Sequence, residues 1–161
     1  MLALSRQAGA EPGGGKFDHL HRVVPLARGP LVDAAAAHGC ELWLDGGHNP
    51  AGGEAVAATL AAMGPRPTHL VCGMLNTKDV VGYMRPLAEV ATSLTAVSIP
   101  GERNTLPASE TAMAAASAGL LASTADDVPA AVAGIAAADP GARILICGSL
   151  YLAGRVLRDN G

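Results

Sequence analysis

Three short segments of this 161-residue chain carry groups that can do chemistry. Leu44-Asp45-Gly46-Gly47-His48-Asn49-Pro50 places a carboxylate, an imidazole and an amide together. Gly73-Met74-Leu75-Asn76-Thr77-Lys78-Asp79 sets an ammonium beside a carboxylate, and Cys147-Gly148-Ser149-Leu150-Tyr151 supplies a hydroxyl and a phenol. Each segment follows an apolar run and precedes a helical pattern, so each reads as a strand-to-helix turn, a common place for ligands in α/β proteins. Asn49 suits a helix N-cap and Pro50 the first turn, where a missing N–H costs nothing. An anion at that helix start gains about 0.3–1 kcal/mol from the dipole. Gly148 lets the backbone approach a ligand, and Ser149 can cap its helix or donate to a carboxylate or phosphate. The plainer alternative is that Asp45, Asn49 and Ser149 only cap helices and His48 is a solvated turn residue.

The elements that must position these groups alternate along the chain. Glu41–Leu44, His69–Gly73, Leu94–Ile99, Leu120–Ala122 and Ile144–Cys147 read as strands, Leu120–Ala122 as an edge. Between them, Ala51–Met63 carries Val56, Leu60 and Met63 at helical spacing. Lys78–Val90 carries Val81, Met84 and Leu87 on one face, and Pro107–Ala118 starts with a proline in its first turn. Val128–Ala138 follows Asp126 or Asp127 as its cap, and the last helix contains Leu150, Ala153 and Leu157. Residues 23–32 are expected to add an antiparallel edge strand. Strands separated by helices of this length indicate right-handed βαβ units. The expected fold is α/β, a Rossmann-like three-layer sandwich with a mostly parallel sheet of about five or six strands and helices on both faces. In such a sheet ligands sit at the carboxyl ends of the strands, and the turns at Asp45–Asn49, Gly73–Asp79, Pro100–Asn104 and Gly148–Tyr151 fall there. Arg103, in the third of these, reads as a solvated loop charge.

Composition narrows the function. Half of the residues are hydrophobic but only 2% are aromatic, so the core is built from Ala, Val, Leu and Ile. The eleven basic residues are scattered, the net charge is −3 and the pI is near 5.9, which argues against nucleic acid. No apolar run approaches the ~18 residues that span a bilayer, so no membrane partner is expected and a cytoplasmic location is. Cys40, Cys72 and Cys147 are odd in number and far apart in sequence, which fits buried free thiols. His19, His21 and His38 lack partner ligands for a metal.

The three segments, in this order, resemble the C-terminal domain of bifunctional dihydrofolate synthase/folylpolyglutamate synthase, of the Mur ligase superfamily, from about Arg28 to the end. The resemblance implies an ATP-dependent ligase that phosphorylates a dihydropteroate or tetrahydrofolate carboxylate, after which the amine of L-glutamate attacks the acyl phosphate. It implies ATP and Mg2+ as cofactors, both held mainly by a central P-loop domain, and no metal held within this chain. By the same resemblance Asp45 and His48 are the catalytic candidates. Asp45 would lie on the ribose or metal side, His48 near phosphate, and Asn49 beside the nucleotide. Ser149 and Tyr151 are candidates for the glutamate pocket, against a capping serine and a packed tyrosine. Lys78 and Asp79 either form a salt bridge or approach the ligand. Family members are usually monomeric.

The chain departs from that family before the resemblance begins. A Walker loop, Gly-x-x-x-x-Gly-Lys-Ser/Thr, does not occur: around Gly13-Gly14-Gly15-Lys16 the outer glycine is Ala10 and the hydroxyl is Phe17. The Trp-Pro and arginine that the family places before its first strand are also missing, the only tryptophan being Trp43. Residues 1–24 are therefore expected to be an unmatched, disordered segment, and 25–161 a Mur ligase C-terminal-like domain without its ATPase domain, inactive alone. Other readings are a non-catalytic remnant or interaction module, and a free-standing Rossmann-type nucleotide-binding oxidoreductase. The oxidoreductase is weakened because Pro50 stands where a pyrophosphate loop needs glycine.

Overall fold

A computed structural model describes residues 23–76 and 79–161. Six strands form one sheet: β1 (Val24–Pro25), β2 (Glu41–Leu44), β3 (Thr68–Cys72), β4 (Ser93–Ala96), β5 (Ala122–Thr124) and β6 (Arg143–Cys147). Their spatial order is β1-β2-β6-β3-β4-β5. All neighbours are parallel except β1, which pairs antiparallel with β2. The connecting helices are α1 (Pro30–Ala36), α2 (Pro50–Ala62), α3 (Val80–Met84), α4 (Ala108–Ser117), α5 (Val128–Ala138) and α6 (Leu150–Asp159), with a 3-10 turn at Pro86–Glu89.

Two apolar layers hold the sheet. On one face Val56 and Leu60 of α2, Tyr83 and Met84 of α3 and Ala115 of α4 pack on Leu70, Leu94 and Leu145. On the other, Leu31 of α1, Val132 and Ile135 of α5, and Leu152 and Val156 of α6 pack on Leu42, Val71, Ile144 and Ile146. This is the expected three-layer α/β/α sandwich. Residues of β6 are buried all along the strand, as a parallel strand covered on both faces must be. Each fully buried Leu, Ile or Val contributes about 1.5–3 kcal/mol relative to exposure. No helix among the described residues is long and apolar enough to cross a membrane.

Several expected elements are placed differently. The expected edge strand over residues 23–32 is only Val24–Pro25, and Pro30 opens α1, whose Leu31 and Ala35 are buried. The helix expected over Lys78–Val90 is divided, because Pro86 has no N–H to continue it. The fourth strand is Ser93–Ala96, ending before Ile99, and the edge strand lies two residues later than Leu120–Ala122. Pro107 precedes α4 rather than lying in its first turn. On α6 the buried stripe is Leu152 and Val156, while Leu150 and Leu157 are exposed.

Candidate functional site

The chain order hides what the sheet order brings together. β6 lies between β2 and β3, with Leu44 opposite Ile146 and Cys72 opposite Cys147. Asp45, Gly73 and Gly148 therefore leave three adjacent parallel strands at the same rim, where β2 and β3 diverge around β6. This is the topological switch point at which open α/β sheets bind ligands. The Pro100–Asn104 turn is tied to the same rim through Asn76 N–H to the Asn104 carbonyl, 2.8 Å, and Ile99 N–H to Thr105 Oγ1, 2.8 Å. Arg103 is exposed, as expected.

Glycine is required where the turns interlock. Gly148 has φ +111°, and a Cβ there would lie 2.6 Å from the Gly73 carbonyl oxygen and 2.8 Å from Cys72 Sγ. The close approach that Gly148 permits is thus to the chain's own backbone, not directly to a ligand. At Gly46 a Cβ would meet the end of the Leu150 side chain at 2.5 Å, a contact that the half-exposed leucine can relieve by moving.

Asp45 is enclosed, with 1% of its surface exposed. Gly47 N–H donates to its Oδ2 at 2.7 Å, whereas Oδ1 has no partner among the described residues. Burial pushes the carboxyl up from 3.8 to about 7, against the lowering effect of the Gly47 bond. Nearby, the Tyr83 hydroxyl is also buried without a partner of good geometry. Burial, with the neighbouring Cys147, Cys72 and Asp45, raises its phenol well above the usual range. All three described cysteines are free and buried. Cys72 and Cys147, distant in sequence, end neighbouring strands, and hydrogen bonding to Cys147 followed by burial raises the Cys72 thiol.

The helix starts are capped as their residues dictate. Asn49 Oδ1 accepts from Gly52 N–H at 2.8 Å and its carbonyl accepts from Gly53 N–H at 2.9 Å. With Pro50 lacking an N–H, the first-turn donor left outside these bonds is that of Ala51. Ser149 is 2% exposed and its Oγ accepts from Tyr151 N–H at 3.0 Å and Leu152 N–H at 3.5 Å, so it is the cap of α6. Tyr151 is 56% exposed and is not a packed tyrosine. Asp79 caps α3 through Gly82 N–H at 2.9 Å, and Asp127 caps α5 through Ala130 N–H at 2.8 Å.

His48, Ser149 and Tyr151 do converge. With Leu75, Gly148 and Leu150 they line a cavity of about 80 Å³. That is room for a carboxylate or two or three waters, whereas a complete small-molecule site encloses ~300–1,000 Å³. Asp45 is not among the residues lining this cavity, and Asp79 lines a separate hollow with Glu54 and Arg85. Lys78 lies outside the described residues, as do His19 and His21. On this rim His48 is exposed, and the Ala51 N–H is left outside the Asn49 capping bonds. A divalent metal does not fit this wall alone. No three His, Cys, Asp or Glu side chains converge among the described residues, and a carboxyl half protonated near neutrality is a poor ligand for a hard cation.

Residues 28–150 match the family model described as Mur ligase, glutamate ligase domain. The chain belongs to that family. Among solved structures, the folylpolyglutamate synthase of Mycobacterium tuberculosis in complex with ADP and AMPPCP is 32% identical with a TM-score of 0.65, over 75% of this chain and 30% of that one. E. coli FolC in complex with DHPP and ADP is 22% identical with a TM-score of 0.63, over 83% of this chain and 29% of that one. A bifunctional folylpolyglutamate synthase/dihydrofolate synthase with Mn, AMPPNP and L-glutamate bound is 24% identical with a TM-score of 0.61, over 73% and 28%. The chain thus spans about 30% of the length of these structures. No curated protein matches it in sequence. Within a glutamate ligase domain the free-standing oxidoreductase reading gives way.

The glutamate ligase domain also relies on residues that sequence reading passed over. Gly53 in α2 packs so tightly on α3 that a Cβ would lie 2.1 Å from the Tyr83 carbonyl. Its signal was the Gly52-Gly53 pair inside a helical pattern, which marks a close approach. Arg143 opens β6 at the opposite rim, 4% exposed, and pairs with Glu41 at 3.4 Å. Glu41 also pairs with Arg66.

Proposed function

We propose that this chain forms the C-terminal, glutamate-handling wall of a cytoplasmic ATP-dependent ligase that joins L-glutamate to dihydropteroate or tetrahydrofolate. One observation carries the reading: three motifs far apart in sequence emerge side by side from β2, β6 and β3 and gather His48, Ser149 and Tyr151 around one small cavity. The identity to the ADP- and AMPPCP-bound mycobacterial synthase supports it.

A carboxylate resists attack by an amine until its oxygen is made a leaving group, and ATP supplies that activation by phosphoryl transfer. The residues of this wall then bind, orient and exclude water. His48, exposed on the turn, is placed to donate to charge developing at the transferring group, where one aimed donor is commonly worth ~2.7–4 kcal/mol. Asp45 holds Gly47 and so sets the turn that presents His48. Tyr151 and the Ser149 hydroxyl proton, which the capping bonds leave free, offer donors to the carboxylate of glutamate. Pressing this wall onto a second one would keep water from the activated carboxylate.

A chimaera tests this. Residues 25–161 replace the C-terminal domain of the mycobacterial synthase, and ADP release is followed with folate and glutamate. Release that depends on glutamate supports the proposal; a folded chimaera with no such release rejects it.

A further inference from the structure

At the amino rim of the sheet, opposite the proposed nucleotide wall, three side chains form a hydrogen-bonded chain. His69 is on β3 and Ser93, its registered neighbour, opens β4, so both project from the same face. α5 crosses that face and delivers Asp139 at its C-terminus. Ser93 Oγ lies 2.6 Å from His69 Nδ1, and Asp139 Oδ2 lies 2.7 Å from His69 Nε2. The carboxylate can only accept, which fixes the proton of neutral His69 on Nε2. Nδ1 then presents its lone pair and Ser93 must donate. That is the arrangement in which a base activates a hydroxyl, with the base oriented by a third group. The ring is reversed relative to the usual Ser-His-Asp order, which presents Nε2 to serine, but either nitrogen is basic once the other holds the proton.

The chain also opens onto space. All three residues line a groove of about 580 Å³ between the β4–β5 face and α5. Its floor carries further hydroxyls, Thr95 Oγ1 and Ser123 Oγ at 3.5 Å from each other. Its wall is small and apolar, from Ala130, Gly134 and Ala138, and a Cβ added at Gly134 would meet nothing within 4 Å. His69 is mostly covered, with 12% of its side chain exposed, and Asp139 is 39% exposed.

We infer that Ser93, His69 and Asp139 form a second reactive site, at which Ser93 accepts the acyl group of an uncharged ester of a small carboxylic acid. Ser93 Oγ bonds to the acyl carbon as its proton passes to His69 Nδ1. The ester C–O bond breaks and the alcohol leaves with the proton from His69. Water then attacks the acyl carbon as its proton passes to His69 Nδ1; the bond from the acyl carbon to Ser93 Oγ breaks and His69 returns the proton to Oγ, which frees the acid and restores Ser93. Asp139 is a positioning residue: it acts through the His69 tautomer and does not touch the ester.

The full 161-residue chain is treated with p-nitrophenyl acetate and, separately, with a fluorophosphonate, and the modified residues are located by peptide mass mapping. The site requires acetyl-Ser93 or nitrophenolate release that Ser93→Ala loses, together with phosphonylation of Ser93. Asp139→Asn should slow the modification by about 100-fold at an unchanged melting temperature. In ¹⁵N spectra the His69 ring should be the Nε2–H tautomer, and Asp139→Asn should disturb it. Acetyl groups only on Lys16 or Lys78, equal rates for wild type and Ser93→Ala, or a His69 ring protonated on Nδ1 would each overturn the inference and leave a structural tie between β3, β4 and α5.

Discussion

Asp45→Asn should make the stability of this domain less dependent on pH, in a calculable way. The Asp45 carboxyl has an ordinary value of 3.8 and is pushed up to about 7 by burial. Between these values the folded chain keeps a proton that the unfolded chain has released, so stability falls as pH rises and levels off above the folded value. At about 1.4 kcal/mol per unit, the two units from about pH 5 to the folded value correspond to on the order of 2.7 kcal/mol. Asparagine keeps an acceptor for Gly47 N–H but does not titrate. Its amide buries one more unpartnered donor than a protonated carboxyl does, a constant cost of about 1–3 kcal/mol. The wild type should therefore be the more stable protein at about pH 5 and lose most or all of that advantage by about pH 8. Urea unfolding of both proteins across this range measures the difference directly, and other titrating groups cancel in the comparison. A wild-type minus variant difference that stays flat with pH would refute a buried, proton-holding Asp45.

Further outcomes follow from the same geometry. Asn49→Ala should cost roughly 1 kcal/mol in denaturant unfolding, because the cap on Gly52 N–H is lost. His48→Ala should stay within about 0.5 kcal/mol of wild type, yet depress turnover of the synthase chimaera strongly. Unfolding by His48→Ala with turnover retained would make it a structural histidine. Gly148→Ala should destabilise by at least ~1–3 kcal/mol, since φ +111° and the Gly73 carbonyl both exclude a Cβ; a melting temperature like that of wild type would contradict this. The isolated chain should bind ADP no tighter than about millimolar, ~4 kcal/mol, because only one wall is present; micromolar affinity by calorimetry would mean that this wall carries most of the contacts.

What the sequence made legible was local. The Asn49-Pro50 start of α2 depends on two neighbouring residues, and so does Asp127 before α5, so both could be read from their spacing. The rim was legible because a strand followed by a polar turn and a helix puts that turn at the carboxyl end, whatever the strand order. The interlocking of Gly148 with Gly73 and the adjacency of Cys72 and Cys147 were not legible, since they arise only when β6 inserts between β2 and β3. Helical spacing pointed to Leu150, Ala153 and Leu157 on α6, whereas Leu152 and Val156 are the residues buried in the apolar cluster, a choice of face that only the packed sheet makes. The resemblance put Asp45 toward a ligand; its burial and its bond from Gly47 N–H depend on the packing of the whole rim and could not be read locally, whereas the exposure of His48 follows from its place on the turn. His69, Ser93 and Asp139 are separated by the lengths of whole βα units, and no local pattern joins them.

The most direct test of the nucleotide wall is an NMR titration of the ¹⁵N-labelled chain with ADP up to about 10 mM, a concentration that reports millimolar binding. Amide shifts should concentrate at Gly46 to Ala51, at Leu75 and Asn76, and at Gly148 to Tyr151. Shifts confined to the opposite rim around His69 and Ser93, or none at any concentration, would contradict the placement of the nucleotide.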